Sequence, residues 1–155
     1  MSSEWQSAPQ APPGSYSSGP SGPRAGFWQR VGAAVLDTLI LIVPSVILLL
    51  ILKQGALYQT LSTVVSLAYF TYFEGGPTGQ TLGKRAMGIR VYDFTRGGPI
   101  GYGRGVGWYF ARIISAIPCG LGYFWMLWDK EKQTWHDKLV TDVVVPVSAY
   151  PVERK

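Results

Sequence analysis

The chain is poor in sulfur and imidazole. It carries one cysteine, Cys119, and one histidine, His136, in 155 residues. A lone cysteine excludes an internal disulfide and a cysteine-based zinc site. A lone histidine excludes a multi-histidine metal site. Charge is scarce as well: 15% of residues are charged, against about 25% in soluble domains. That deficit argues against an ordinary soluble enzyme. No catalytic constellation, internal repeat or cofactor motif is visible, so the expectation is a protein that is not an enzyme and takes no cofactor or metal.

Apolar sequence fills the space that charge leaves. Val31–Leu52 holds 22 residues with one charge, Asp37. Gly55–Phe73 holds 19 with none, and Gly105–Trp128 holds 24 with one, Arg112. A spanning helix needs about 20 mainly apolar residues. The class is therefore an integral membrane protein. No cleaved secretory signal is expected, because the first apolar run begins only at Val31 and is too long for a signal core.

The net charge is +5. In a soluble chain that would suggest nucleic acid. Here the basic residues flank apolar runs, so orientation in the membrane explains them and no nucleic-acid partner is expected. The partners expected are the lipid bilayer, further copies of the chain or another membrane protein, and a small ion.

Three segments follow from the composition. Residues 1–25 hold seven Ser, five Pro and three Gly, a composition that cannot bury enough surface to order itself. Residues 26–146 form the membrane domain, and 147–155 a short C-terminal tail. The architecture expected is all-α: two transmembrane helices, at 31–52 and 55–73, and a broken third element at 105–128, re-entrant or a kinked span. Pro44 should kink the first helix. The third run is interrupted at Pro118-Cys119-Gly120-Leu121-Gly122, and neither half is long enough to cross alone. Ile89, Val91 and Phe94 alternate with polar residues, and Val143-Val144-Val145 is β-branched. These two stretches can pair as a small two-stranded sheet on the cytoplasmic side.

Basic residues collect on the cytoplasmic face of membrane proteins. If the third run enters and returns, twelve basic residues lie inside, Lys53 lies outside and Arg112 lies in the membrane. The location expected is the cell membrane, multi-pass, with a cytoplasmic amino terminus.

Five residues are candidates for an ion or proton site. Arg30 and Asp37 are two helical turns apart and project from one face. An acid deep in a spanning helix costs on the order of 3 kcal/mol, so it should meet a cation; Arg30 and Arg112 are the cations available. Asp37 then reads either as a proton or ion carrier or as half of a structural ion pair. His136 beside Asp137 can titrate near neutral pH, although adjacent residues need not face each other. Two glycine-rich stretches are set aside. The segment Gly79–Arg85 imitates a phosphate loop, but Thr78 stands where its first glycine belongs and Arg85 replaces Ser or Thr. Gly101, Gly103, Gly105 and Gly107 miss the dinucleotide spacing. They do offer small-xxx-small pairs for close helix contact.

Together these residues resemble the RDD family of small bacterial membrane proteins. GFWQRVGAAVLDTLIL, with Arg30 and Asp37, is similar to its first helix. GQTLGKRAMGIRVYD is similar to the segment after the second helix, and Arg112 and GLGYFWMLWDKEKQTWHDKL, with Asp137, to its end. The resemblance covers Gly26–Val145. After His-Asp-Lys-Leu the chain reads Val140-Thr141-Asp142, where the family usually has Ala-Gly-Thr. The resemblance implies a membrane domain and, from the activity ascribed to some members, transport by cation/proton exchange. The alternative is a non-catalytic accessory or scaffold subunit of a larger membrane complex.

Overall fold

The computed structural model describes residues 23–151. The expected Pro/Ser/Gly-rich tail falls largely on residues 1–22, outside the described part. In order, the elements are α1 (Phe27–Leu52), α2 (Ala56–Gly75), α3 (Leu82–Ala86), β1 (Ile89–Asp93), α4 (Tyr102–Ala116), α5 (Leu121–Phe124), α6 (Trp135–Val140) and β2 (Asp142–Pro146). A short 3-10 turn, Trp125–Leu127, extends α5. The fold is mostly helical with one small antiparallel sheet.

The side chain of Gln29 opens α1 by accepting the Gly26 N–H at 2.9 Å. The helix runs on through Pro44 to Leu52. Only Ala33 and Asp37 are buried in it, and Leu39, Val43, Ile47, Leu50 and Ile51 are exposed. Among the described residues, α1 is the one helix long and apolar enough by itself to cross a membrane. The expected second span, α2, has 20 residues. Gln59, Thr60, Ser62, Thr63 and Ser66 dilute its apolar surface, and it falls short of that measure. The third run is broken as its Pro-Gly sequence suggested. Pro118 follows α4, Cys119 and Gly120 take left-handed φ of 51° and 77°, and the chain bends by 107° into α5. Gly122 packs so closely on α4 that a Cβ would lie 2.6 Å from Ser115 Cα.

The two strand-like stretches pair with Val91 opposite Val144. Ile89, Val91 and Val144 bury one face of the sheet with Ala25, Ala33 and Ile100. Val143, Val145 and Tyr150 bury the other. The folded body therefore extends past both expected boundaries. Ala25, assigned above to the leading tail, is buried and donates its N–H to Val144 O at 2.9 Å. Tyr150, assigned to the trailing tail, is 5% exposed. Both are held because they complete a sheet face. The bond from Ala25 also fixes a geometric fact: the start of α1 and the strand after the bent element lie at the same end of the molecule.

Of the four spaced glycines, Gly105 makes the close contact. A Cβ there would lie 3.1 Å from Gly75 Cα, whereas one at Gly103 or Gly107 would meet nothing within 4 Å.

Candidate functional site

Charged side chains in so apolar a chain need partners, because an unpaired buried charge is costly. They find them where α1, α2, α3, α4 and α6 converge.

Asp37 is the first cluster. It is 3% exposed and accepts Tyr69 OH at 2.8 Å, Thr81 Oγ1 at 2.6 Å and Gly83 N–H at 2.8 Å. Thr81 is also the N-cap of α3. Asp37 thus clasps the loop after α2 to α1. It forms no ion pair with Arg30 or Arg112, the partners expected from sequence; hydrogen-bond donors on α2, at the α3 N-cap and on α3 itself satisfy it instead.

Arg30 pairs with Asp137. Asp137 is fully buried at the start of α6, where the same carboxylate accepts the N–H of the N-cap Thr134 at 2.9 Å. Burial pushes the Asp137 carboxyl up. The Arg30 guanidinium and this N–H outweigh it and hold Asp137 below the usual carboxylate range. His136 Nε2 lies 3.5 Å from Asp137 Oδ1, and its Nδ1 lies 3.0 Å from Ser115 Oγ. Burial pushes the imidazole down to about 3, and Arg30, Arg112 and Lys84 add to that effect against Asp137. At neutral pH His136 is therefore uncharged. Ser115 Oγ already accepts the His136 backbone N–H at 3.1 Å, so its proton is free to point at Nδ1. Ser115, His136 and Asp137 thus stand in a row, but Ser115 is fully buried, away from the cavity described next.

Glu74 and Lys84 were not singled out from sequence. Glu74 closes α2 just before a Gly-Gly-Pro breaker, and Lys84 lies in the false phosphate loop. Lys84 Nζ meets Glu74 Oε1 at 2.5 Å and sits 4.4 Å over the Trp108 ring. Glu74 Oε2 and Trp108 Nε1 are buried without a hydrogen-bond partner among the described residues. Arg112 stacks over Phe70 at 4.5 Å and Trp108 at 4.9 Å, and donates one long bond, 3.4 Å, to Tyr123 OH.

These groups surround a cavity of about 120 Å³. Its charged and imidazole-bearing lining residues are Arg30, Asp37, Glu74, Lys84, Arg112 and His136. Four of the five sequence candidates thus line one space, and the fifth, Asp137, lies behind Arg30. A separate acid, Asp142, does not line this cavity: it is fully buried, and neither carboxylate oxygen has a hydrogen-bond partner among the described residues. Burial and the Asp137 charge push its carboxyl well up.

The chain is 40% identical over 96 residues to the "Proline-rich antigen homolog" of Mycobacterium tuberculosis, covering 60% of this chain and 40% of that protein. It is 33% identical over 96 residues to the "Proline-rich antigen" of Mycobacterium leprae, covering 60% and 39%. The chain thus spans about two-fifths of the length of these mycobacterial relatives. It is 31% identical over 147 residues to "Uncharacterized protein YxaI" of Bacillus subtilis, covering 78% and 96%. No solved structure matches. The model of the RDD family matches residues 24–141, a stretch that holds the Asp37 clasp, the Arg30–Asp137 pair and the whole cavity lining named above. The chain belongs to the RDD family.

Proposed function

We propose that the chain is a multi-pass membrane protein that exchanges a small cation for a proton through this cavity, as a homo-oligomer in the cell membrane. The observation that carries the reading is Glu74 Oε2, a buried carboxylate oxygen with no hydrogen-bond partner, on the wall of a chamber large enough for several waters. One oxygen of Glu74 is held by Lys84 and the other has no partner among the described residues. Deprotonated, that oxygen takes a cation. Protonated, it leaves the Lys84 charge uncompensated and repels the cation. Occupancy by one then excludes the other, as exchange requires. In this reading Asp37 is a positioning residue, because both its oxygens are already engaged by donors from Tyr69, Thr81 and Gly83.

The orientation proposed has α1 and α2 crossing, the bent α4–α5 element entering and returning, and the amino terminus, sheet and α6 in the cytoplasm. The bond between Ala25 and Val144 supports it, since it keeps the segments before α1 and after α5 together.

The test is cation-driven proton movement in vesicles containing the purified protein. Glu74→Gln should abolish exchange while leaving the protein folded. Exchange at the parent rate in Glu74→Gln overturns the reading.

A further inference from the structure

Most basic side chains packed into the fold meet an acid: Arg24 meets Glu131, Arg30 Asp137, Lys84 Glu74 and Arg104 Asp93. Arg112 does not. Among the described residues it forms no ion pair, and its one hydrogen bond, at 3.4 Å to Tyr123 OH, is long. Phe70 and Trp108 hold the guanidinium plane by stacking, which leaves most of its N–H donors unused. Such a guanidinium is preorganised for a two-oxygen acceptor.

Arg112 also borders a second cavity, a groove of about 360 Å³ between α1, α2 and α4. Its polar lining is Thr38, Ser45, Ser66, Tyr109 and Arg112, and its apolar lining Leu41, Ile42, Phe70 and Ile113. Thr38 and Ser45 spend their hydroxyl protons on their own helix, at Ala34 O and Leu41 O. The Ser66 and Tyr109 hydroxyls bond nothing among the described residues. The groove therefore offers a cation and two free hydroxyl donors, and no acid lines it. Two of its apolar lining residues, Ile42 on α1 and Ile113 on α4, are exposed.

We infer that this groove binds an anionic phospholipid, with the phosphodiester on Arg112 and the acyl chains along the α1–α4 rim. The phosphate supplies the acceptor oxygens that Arg112 lacks. The apolar rim selects a lipid over free phosphate. The absence of a lining acid disfavours zwitterionic headgroups, whose ammonium would meet Arg112 with no counter-charge. Arg112 borders the Glu74 cavity as well, but this test reads lipid binding rather than flux, so its failure is distinguishable from failure of the transport reading.

The test is thermal melting of the full chain in neutral detergent, titrated with phosphatidylglycerol, phosphatidylcholine or inorganic phosphate. Phosphatidylglycerol should raise the melting temperature at the lowest concentration. In Arg112→Gln its half-effect concentration should rise about tenfold, the weight of one charged hydrogen-bonding contact. If Arg112→Gln does not fold, Ile113→Trp, which fills the groove from its rim, should give the same loss. Equal response to phosphatidylcholine, or an unchanged response in both variants, overturns the inference. Equal response to inorganic phosphate overturns the lipid as ligand and leaves a free-anion site.

Discussion

The backbone N–H of Gly83 points at Asp37 Oδ1 from 2.8 Å, and no side chain fits between the two. A Cβ on Gly83 would lie 2.8 Å from that same oxygen and closer still to the Ala33 carbonyl. Close approach of α3 to α1 is therefore what neutralises the acid. Gly83→Ala should destabilise the protein by about 1–3 kcal/mol, the range for overpacking, as a lower melting temperature in detergent. Because the same approach seats Lys84, the variant should also weaken the Glu74–Lys84 pair. A Gly83→Ala protein that melts with the parent would show that α3 relaxes freely.

Arg30 and Asp137 should be thermodynamically coupled, and Arg112 and Asp37 should not. Arg30→Leu leaves a fully buried Asp137 without its cation, a change that costs about 3–5 kcal/mol in soluble proteins. Asp137→Leu in the same chain should recover part of that loss. Arg112→Leu and Asp37→Asn should add to within about 0.5 kcal/mol, since Asp37 is satisfied by Tyr69, Thr81 and Gly83. A double-mutant cycle of melting curves checks both statements.

These pairings mark how far the sequence is legible. Long apolar runs disclose the class, Pro118–Gly122 discloses the break, and the β-branched Val143–Val145 discloses the sheet, because each is a local property. Helical spacing also puts Arg30 and Asp37 on one face. It cannot say that they turn to different partners, one on α6 and one on the loop before α3. Glu74 was hidden for the same reason. At the end of an apolar run beside a turn it reads as solvated, and only the packing of Lys84 and Trp108 makes it interior. Asp142 looked like a departure from a family pattern, whereas the fold turns it into a buried acid.

Orientation has its own test. Cys119 is exposed, so Cys119→Ser is made first and Ser148→Cys added. An impermeant thiol reagent should label this protein only after lysis if the bent element returns to the side it left. Labelling in intact cells would mean that α4 and α5 together cross.

His136 should give the protein an acid-labile step. Its folded pKa is depressed from 6.5 to about 3. Between those values the unfolded chain binds a proton that the folded chain does not. The contribution is present above pH 6.5 and is lost as pH falls towards 3, by about 1.4 kcal/mol for each pH unit at most. His136→Gln should flatten the dependence of melting temperature on pH in this window. An equally steep dependence in the variant would assign it to another group.

Asp142 should act in the opposite direction, and its sign distinguishes it from His136. Its folded pKa is raised above 3.8 by burial and by Asp137, against Lys84 and Arg30, with Glu74 adding to the rise. The folded chain then keeps a proton that the unfolded chain releases, so stability is present below pH 3.8 and lost as pH rises through the folded value. Removing the acid should therefore help most at neutral pH. Asp142→Val suits a buried strand and removes two unpartnered oxygens, worth about 1–3 kcal/mol in unmet hydrogen bonding. Asp142→Asn keeps the polar group but cannot ionise, so it should share the pH dependence of the gain and show less of its size. Melting curves from pH 4 to 8 (from the ordinary carboxylate value to roughly four units above it) separate the two contributions. A gain for Asp142→Val that stays constant across this range would mean that the carboxyl ionises normally in the fold, and that packing alone makes the site unfavourable.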